Sequence, residues 1–226
     1  MRFETITSTA HTESGYSNPV INKSFSEKEW RKVENILHVA AVLFDRNGYI
    51  ETSLKDISAE AEVSKGGIYH YFSSKHEMLF CIIDTYLDKM IGNVEEEIAN
   101  LSDPDMKVRY LMDRHLALYA SNPPEMRAML NHTRVLPPDQ LRYVTEKQKR
   151  YARMLTGVLA EMTDRSPDPR RLTAITYFIF GMYNSIMHWH KADGEISIEE
   201  IGEICFKLLM DGWHSMSKTS LISSSR

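Results

Sequence analysis

Apolar residues recur at intervals of three and four positions over most of the chain, from about residue 27 to residue 213. This spacing places them on one face of a helix, so it predicts amphipathic α-helices rather than strands. Prolines and glycines interrupt the pattern where a helix would begin or end. We predict an all-α fold with nine helices, over about residues 27–46, 54–61, 64–71, 74–97, 105–119, 123–135, 137–162, 169–190 and 198–214.

Two of the predicted helices are short and lie close together near the amino end. Ser53 is a suitable N-cap for the first and Ser64 for the second. Only a break at Glu62-Val63 separates them, and such a pair is the outline of a helix-turn-helix, whose second helix lies in the major groove of DNA. The second helix contains Gly66 and Gly67, each of which costs a helix roughly 1 kcal/mol relative to alanine. Because glycine lets a backbone approach another surface closely, we interpret this helix as a DNA-binding element.

A longer set of residues surrounds this pair at fixed spacing. It consists of Phe44, Gly48, Tyr49, Thr52, Ser53, Asp56, Ile57, Val63, Ser64, Lys65, Gly66, Ile68, Tyr69, His70, Tyr71, Phe72, Ser74 and Lys75. This pattern resembles the N-terminal domain of the TetR family of bacterial transcriptional repressors. One position departs from it, since the family usually has a glycine in the turn where this chain has Glu62. If the backbone there is left-handed, a non-glycine residue costs roughly 1 kcal/mol or more.

Charge and the resemblance together predict the DNA-contacting residues. Lys65 and Lys75 lie at the N-termini of successive helices, where free N–H groups already favour a phosphate. Tyr69, Tyr71 and Phe72 are equally suited to a core, which for Phe72 is the preferred role, and Lys55 is either near the DNA or simply solvated. The predicted DNA-binding residues are Thr52, Ser64, Lys65, Gly66, Gly67, Tyr69, His70, Tyr71 and Lys75.

The last two predicted helices carry more apolar surface than one chain can cover. Their residues step by three and four positions in a heptad-like row. In the TetR family the corresponding helices pack against those of a two-fold mate, which implies a homodimer whose recognition helices reach half-sites roughly 34–36 Å apart. The predicted dimerisation residues are Ile175, Ile179, Met182, Ile186, Trp189, Ile201, Cys205 and Leu208.

Aromatic and soft side chains mixed with polar ones indicate a ligand pocket in the second half of the chain. Asn184 is the strongest candidate, because a polar amide on an apolar helix needs a buried partner or a ligand. Any one of the others could equally be a core residue. The predicted ligand-binding residues are His115, Tyr119, Met129, His132, Tyr151, Met154, Tyr177, Phe180, Tyr183, Asn184 and Met187.

The segment 181–194 is also similar to a branch of the TetR family that responds to acyl-coenzyme A thioesters. That branch often carries an arginine where His188 stands and an aromatic residue where His190 stands. His188 and His190 are two residues apart on a helix and point away from each other, so they cannot chelate one ion. We therefore predict neither a metal site nor a cofactor.

Composition limits the setting in which the protein works. The net charge is −4, so DNA binding must come from a local patch, and residues 63–76 carry two lysines, two histidines and no acid. Cys81 and Cys205 lie among apolar residues and suit buried, reduced thiols. The sequence has no apolar run of membrane-spanning length and no apolar core of a signal peptide. We predict a cytoplasmic protein that does not bind a membrane.

These observations predict four segments: a flexible arm at 1–25, a DNA-binding domain at 26–73, a ligand-binding and dimerisation domain at 74–214, and a flexible tail at 215–226. The predicted function is that of a dimeric repressor that binds a palindromic double-stranded operator and is released by a small hydrophobic effector such as an acyl-CoA or lipid-derived molecule. One alternative is a DNA-binding regulator without an effector. Another is a helical-bundle enzyme that uses His115 and His132 on a lipid-like substrate, but no nucleophile–base motif supports it, so we predict no enzyme.

Overall fold

The computed structural model describes residues 25–163, 167–191, 193–217 and 219. The regular structure of this part of the chain consists of ten α-helices and one short 3-10 helix, which confirms the predicted all-α fold. The helices are α1 (Glu27–Asn47), α2 (Leu54–Glu60), α3 (Lys65–Tyr71), α4 (Lys75–Ile91), α5 (Val94–Ala99), α6 (Pro104–Ser121), α7 (Pro123–His132), the 3-10 helix (Thr133–Val135), α8 (Pro138–Glu161), α9 (Pro169–Trp189) and α10 (Ile198–Ser217).

The helix predicted at 74–97 is in fact two helices. Gly92 has φ 34° and ends α4 by donating its N–H to the carbonyl of Asp88 at 2.8 Å. A shorter helix, α5, starts at Val94, so the prediction of one continuous helix was wrong. At the other end of the chain, α10 continues to Ser217, beyond the predicted start of the tail. The predicted arm up to residue 24 and the tail from residue 220 lie outside the described residues.

The first of two compact units contains the residues up to Gly92 together with Asn122–Lys147. Helices α1 to α4, α7, the 3-10 helix and the beginning of α8 belong to it. Serine side chains cap the N-termini of α1 to α4, each by accepting a backbone N–H from the first turn. The core of the unit is aliphatic and aromatic, and its fully buried members include Val33, Ile36, Phe44, Ile57, Ile68, Phe72, Met78 and Leu79.

A buried group of three charges joins α8 to α4 inside this unit. The Nζ of Lys147 donates to the carboxylate of Asp84 and, at 2.7 Å, to that of Asp88. Burial alone would lower the pKa of Lys147, but the two carboxylates outweigh it and raise that pKa above its usual range. The ammonium is therefore charged in the folded protein, and it compensates two acids that α4 carries into the interior.

The second compact unit contains Asn93–Ser121 and the residues from Gln148 onward. It comprises α5, α6, the remainder of α8, α9 and α10. Helix α10 approaches α6 closely at Gly202, where a Cβ atom would lie 2.9 Å from Leu116. None of the helices in the described ranges is both long and apolar enough to cross a membrane. The predicted functional boundary between residues 73 and 74 stays a prediction, since compactness groups α4 with the helices that precede it.

Candidate DNA-binding and effector sites

The second helix of the predicted helix-turn-helix, α3, is held by local hydrogen bonds and by a buried inner face. Ser53 and Asp56 form a capping box that starts α2. The hydroxyl of Ser64 accepts the N–H of Gly67 at 3.1 Å and starts α3. Ile68 is fully buried on the inner face. The rotation of α3 about its axis is therefore fixed, and with it the set of residues that points outward.

The outer face of α3 is exposed and carries no acidic residue. Lys65, Gly66, Tyr69 and His70 are all exposed, and 51% of the Tyr69 surface is accessible. The Nζ of Lys65 lies 6.0 Å from the centroid of the Tyr69 ring. Cationic and aromatic side chains beside a bare backbone suit phosphate groups and base edges, so this surface has the chemistry of a DNA-binding face.

The two glycines of α3 have different surroundings. A Cβ atom built on Gly66 meets nothing within 4 Å, whereas one built on Gly67 would lie 2.5 Å from Cγ1 of Val63. Gly67 is therefore required by the packing of the turn. Nothing within the described chain requires glycine at position 66. Close approach of another molecule to the backbone explains a glycine there.

The turn before α3 contains the one described non-glycine residue with positive φ. Glu62 has φ 54°, which lies in the left-handed region. Its N–H donates to the carbonyl of Ala59 at 3.3 Å, and the following N–H, of Val63, donates to Ser58 at 3.0 Å. The backbone of the turn is thus the one that the family pattern implies, although this chain has glutamate instead of glycine.

Thr52, Tyr71 and Lys75, all predicted to contact DNA, have structural roles instead. Thr52 is 1% exposed, and its hydroxyl donates to the carbonyls of Leu43 and Gly48. The Tyr71 ring is buried against Phe25, with ring centroids 5.5 Å apart. The prediction that these two side chains reach DNA is therefore wrong, because neither is accessible.

The Lys75 side chain also forms hydrogen bonds within the protein. Its Nζ donates to the carbonyls of Tyr49, Ile50 and Thr52, the last two at 3.1 and 2.8 Å. Burial lowers the pKa of this lysine. An ammonium group has only three N–H donors, so the predicted phosphate contact by this side chain is not supported. Lys75 fixes the loop between α1 and α2 instead.

Four predicted ligand residues surround the buried His115 in the second unit, and three more are buried elsewhere in this unit. The His115 ring lies 6.2 Å from that of Tyr151, 5.7 Å from that of Phe180 and 6.0 Å from that of Tyr183. Its Nε2 lies 3.0 Å from Oδ1 of Asn184. Tyr119, Met154 and Met187 are also buried in this unit.

Polar atoms inside this aromatic cluster lack partners. In the described part of the chain, no hydrogen bond reaches Nδ1 of His115 or the hydroxyl of Tyr183, and both atoms are buried. Burial lowers the pKa of His115 to about 4, so its imidazole is neutral at physiological pH. By contrast, the hydroxyl of Tyr151 donates to the carbonyl of Leu111 at 3.4 Å. The cluster combines apolar walls with two available polar atoms.

A groove of about 480 Å³ lies in the same unit and shares Met154. Its apolar lining includes Ile98 and Val158, and its charged rim includes Arg150 and Arg153. The sequence interpretation missed these four residues, because nothing in their spacing separates them from ordinary surface and core positions. Arg150 is paired with Glu95 at 2.9 Å, so the rim is only partly available to a ligand.

The remaining predicted ligand residues do not join the cluster. Met129 and His132 belong to the first unit, where the His132 ring lies 5.9 Å from that of Tyr49 and burial lowers the pKa of His132. Tyr177 is exposed on α9. A ligand-binding role for Met129, His132 and Tyr177 stays a prediction.

The exposed apolar row on α9 and α10 coincides only in part with the predicted one. Four of the predicted dimerisation residues are buried within the unit: Ile179, Ile186, Ile201 and Cys205. Ile175 and Met182 are partly exposed, and Trp189 and Leu208 are exposed as predicted. The side chains with most apolar surface available include two that the prediction did not assign to a dimer interface, Phe178 at 77% and Ile204 at 48% exposure.

Comparison with known proteins finds two family domains in the chain. Residues 36–81 match the family described as bacterial regulatory proteins of the tetR family, and residues 101–213 match the tetracyclin repressor-like C-terminal domain. A TetR-family regulator from Bordetella parapertussis superposes with a TM-score of 0.76 at 29% identity, over 81% of this chain and 96% of its own. AibR, solved in complex with isovaleryl coenzyme A and operator DNA, has a TM-score of 0.69 at 24% identity, over 78% and 97%. The repressor KstR2 of Mycolicibacterium smegmatis is 23% identical over 79% of this chain and 89% of its own length.

Proposed function

Because the chain belongs to the TetR family of DNA-binding transcriptional regulators, we propose that it is a dimeric repressor released from a palindromic operator by a small hydrophobic effector. It is a regulator and not an enzyme. It acts in the cytoplasm, where its two cysteines, which form no disulfide, stay reduced. The observation that carries the proposal is the outer face of α3, where Lys65, Gly66, Tyr69 and His70 are exposed together.

The exposed apolar row supports the dimer. Phe178 and Trp189 on α9, with Leu208 on α10, are more than half exposed. Large apolar side chains in rows are typical of helix–helix interfaces between subunits. A two-fold dimer places two copies of α3 about one DNA turn apart, roughly 34 Å, which requires a palindromic operator.

The aromatic cluster in the second unit supports an effector with an apolar body. AibR has been solved with an acyl-CoA, and a further relative from Bacillus subtilis is a fatty acid metabolism regulator. We take an acyl thioester or related lipid-derived molecule as the effector class. Release requires the effector to favour one conformation by roughly 1–3 kcal/mol, which weakens operator binding about 5- to 150-fold.

Fluorescence anisotropy with the DNA upstream of the protein's own coding region tests operator binding. We expect the double variant Lys65→Ala/Tyr69→Ala to bind at least about tenfold more weakly, since each lost contact to a base or phosphate costs roughly 1–3 kcal/mol. Lys191→Ala is the matched control, because this exposed lysine belongs to the second unit and not to the helix-turn-helix. Equally weak binding of all DNA sequences by the wild-type dimer would contradict the proposal.

Sedimentation velocity tests the dimer surface. Phe178→Glu places a charge in the exposed row, so we expect dissociation to monomers. Met106→Glu is the control, because Met106 is an exposed apolar residue of α6 outside the row. A Phe178→Glu variant that stays dimeric shows that this row is not the interface.

The effector is tested by adding a panel of saturated and branched acyl-CoA thioesters, including isovaleryl-CoA, to the operator complex. We expect at least one of them to change operator affinity within the 5- to 150-fold range given by coupling. If none of them changes operator affinity or the melting temperature, the thioester class is wrong, and a regulator without such an effector is the better description.

A further inference from the structure

We propose that the polar recognition point of the effector site is specific for an uncharged hydroxyl group, which donates a hydrogen bond to Nδ1 of His115 and accepts one from the hydroxyl of Tyr183. This inference rests on the proposed function, because it takes the second unit as the part that binds the effector. It goes beyond that function by stating which chemistry the effector must carry.

The hydrogen bond to Asn184 determines what His115 offers. An amide oxygen can only accept, so with Oδ1 of Asn184 at 3.0 Å the Nε2 atom of His115 carries the proton. The other ring nitrogen, Nδ1, is then an acceptor in the neutral imidazole. It is buried, and no group in the described ranges of the chain donates to it. The site therefore requires a donor at this atom.

Tyr183 supplies the complementary group. Its side chain is 1% exposed, its ring lies 6.0 Å from that of His115, and its hydroxyl has no partner among the described residues. Burial raises the pKa of this phenol above its usual range, so the hydroxyl stays protonated and can donate. A buried polar atom without a partner costs free energy, so a ligand that satisfies it gains affinity.

Charge excludes a carboxylate as the preferred group. His115 is neutral, because burial lowers its pKa to about 4. Arg109, a cation that acts electrostatically on Tyr183, is already held by Asp113 and Glu203. A carboxylate costs more free energy to bury than an uncharged hydroxyl, and it could not donate to Nδ1. An ether or ester oxygen also only accepts, whereas a hydroxyl group can both donate to an imidazole nitrogen and accept from a phenol.

The apolar part of such a ligand has a place beside this point. Tyr151 contacts His115 from α8, and Met154 lies three residues further on the same helix. Residues three apart share a helix face, so the face that borders the cluster continues into the groove lined by Met154 and Val158. An alkyl chain attached to the hydroxyl can follow this face.

Three matched probes test the inference on the full chain by calorimetry: 1-octanol, its isomer methyl heptyl ether, and octanoate. We expect 1-octanol to bind at least about tenfold more tightly than the ether, as one additional satisfied buried group implies, and octanoate to bind most weakly. Equal affinities for alcohol and ether, or no binding of any probe, would overturn the proposal.

A single-atom variant gives a second, ligand-independent result. Tyr183→Phe removes the buried hydroxyl, so the preference for alcohol over ether should fall and the melting temperature of the free protein should rise. Tyr110→Phe is the control, because Tyr110 lies on α6 and is not a member of the cluster, so the loss of its hydroxyl should leave the preference unchanged. A lower melting temperature for Tyr183→Phe would mean that this hydroxyl is satisfied within the protein, and the inference would fail.

The operator assay separates this inference from the proposed function. A protein that binds its operator and responds to an acyl-CoA, but shows no preference between alcohol and ether, disproves the hydroxyl specificity alone. A protein that binds no operator disproves the proposed function whatever the calorimetry shows.

Discussion

Replacing Glu62 by glycine should stabilise the protein, although it removes a side chain from the turn of the helix-turn-helix. Glu62 has φ 54°, and a residue with a Cβ atom pays roughly 1–2 kcal/mol in that region. Glycine also gives the unfolded chain greater conformational freedom, which offsets roughly 0.5–1 kcal/mol of this gain. The expected net gain in the free energy of unfolding is therefore roughly 1 kcal/mol.

Few other contributions compete at this position. The Glu62 side chain is exposed, and the hydrogen bond from its backbone N–H to Ala59 is retained in a glycine variant. In a chain of this length, roughly 1 kcal/mol corresponds to a rise in melting temperature of about 2–4 °C. Urea unfolding followed by circular dichroism at a helix band measures the free energy, and calorimetry measures the temperature.

The same substitution two residues earlier is the matched control. Glu60 is the last residue of α2 and lies in helical backbone, so Glu60→Gly should lower the stability by roughly 0.5–1 kcal/mol. The two variants remove the same side chain and the same charge but should shift the unfolding midpoint in opposite directions. If Glu62→Gly also lowers stability, the left-handed turn is not the source of strain, and the reasoning is refuted.

Three further predictions concern α3 and the two buried polar groups. Gly66→Ala should raise the free energy of unfolding in urea by roughly 1 kcal/mol but weaken operator binding measured by anisotropy. Gly67→Ala should lower the free energy of unfolding by roughly 1–3 kcal/mol, because its Cβ would meet Val63. Burial lowers the pKa of His115 to about 4, against roughly 6.5 in the unfolded chain. The free energy of unfolding should therefore be unaffected by this group above pH 6.5 and should fall by roughly 3 kcal/mol as the pH drops to 4. In thermal melts, His115→Gln should flatten this part of the pH–stability curve. Lys147→Met should cost roughly 3–5 kcal/mol in urea unfolding, because it removes the buried cation that Asp84 and Asp88 share. The exposed Lys55→Met should cost almost nothing.

The helix-turn-helix was predictable from sequence because its determinants are local. Ser53 and Ser64 cap helices that begin within one residue of the predicted positions, and the TetR resemblance is confirmed by the family match. The roles of Thr52 and Lys75 were not predictable in this way. Either side chain can bond a phosphate or a backbone carbonyl, and only the folded loop brings those carbonyls within reach.

The end of α4 shows a different limit of periodicity. Val94 and Ile98 continue the spacing of the apolar residues before them, so the pattern runs through Gly92 without a gap. A glycine inside a helical pattern is tolerated at a cost of roughly 1 kcal/mol, which is too small to decide between a continuous helix and a break. Here the chain breaks, since Gly92 adopts a φ of 34° that other residues rarely take.

The rotation of α9 explains why only some of the predicted dimerisation residues on this helix are exposed. This helix is apolar over most of its circumference, so its spacing alone cannot select the face that packs inside the unit. A polar contact selects it: the hydroxyl of Thr176 lies 2.8 Å from that of Thr156 on α8. Residues 179, 183 and 186 follow Thr176 at intervals of three and four and are buried with it. Phe178 and Trp189 are therefore turned outward, on the face that we propose as the dimer interface.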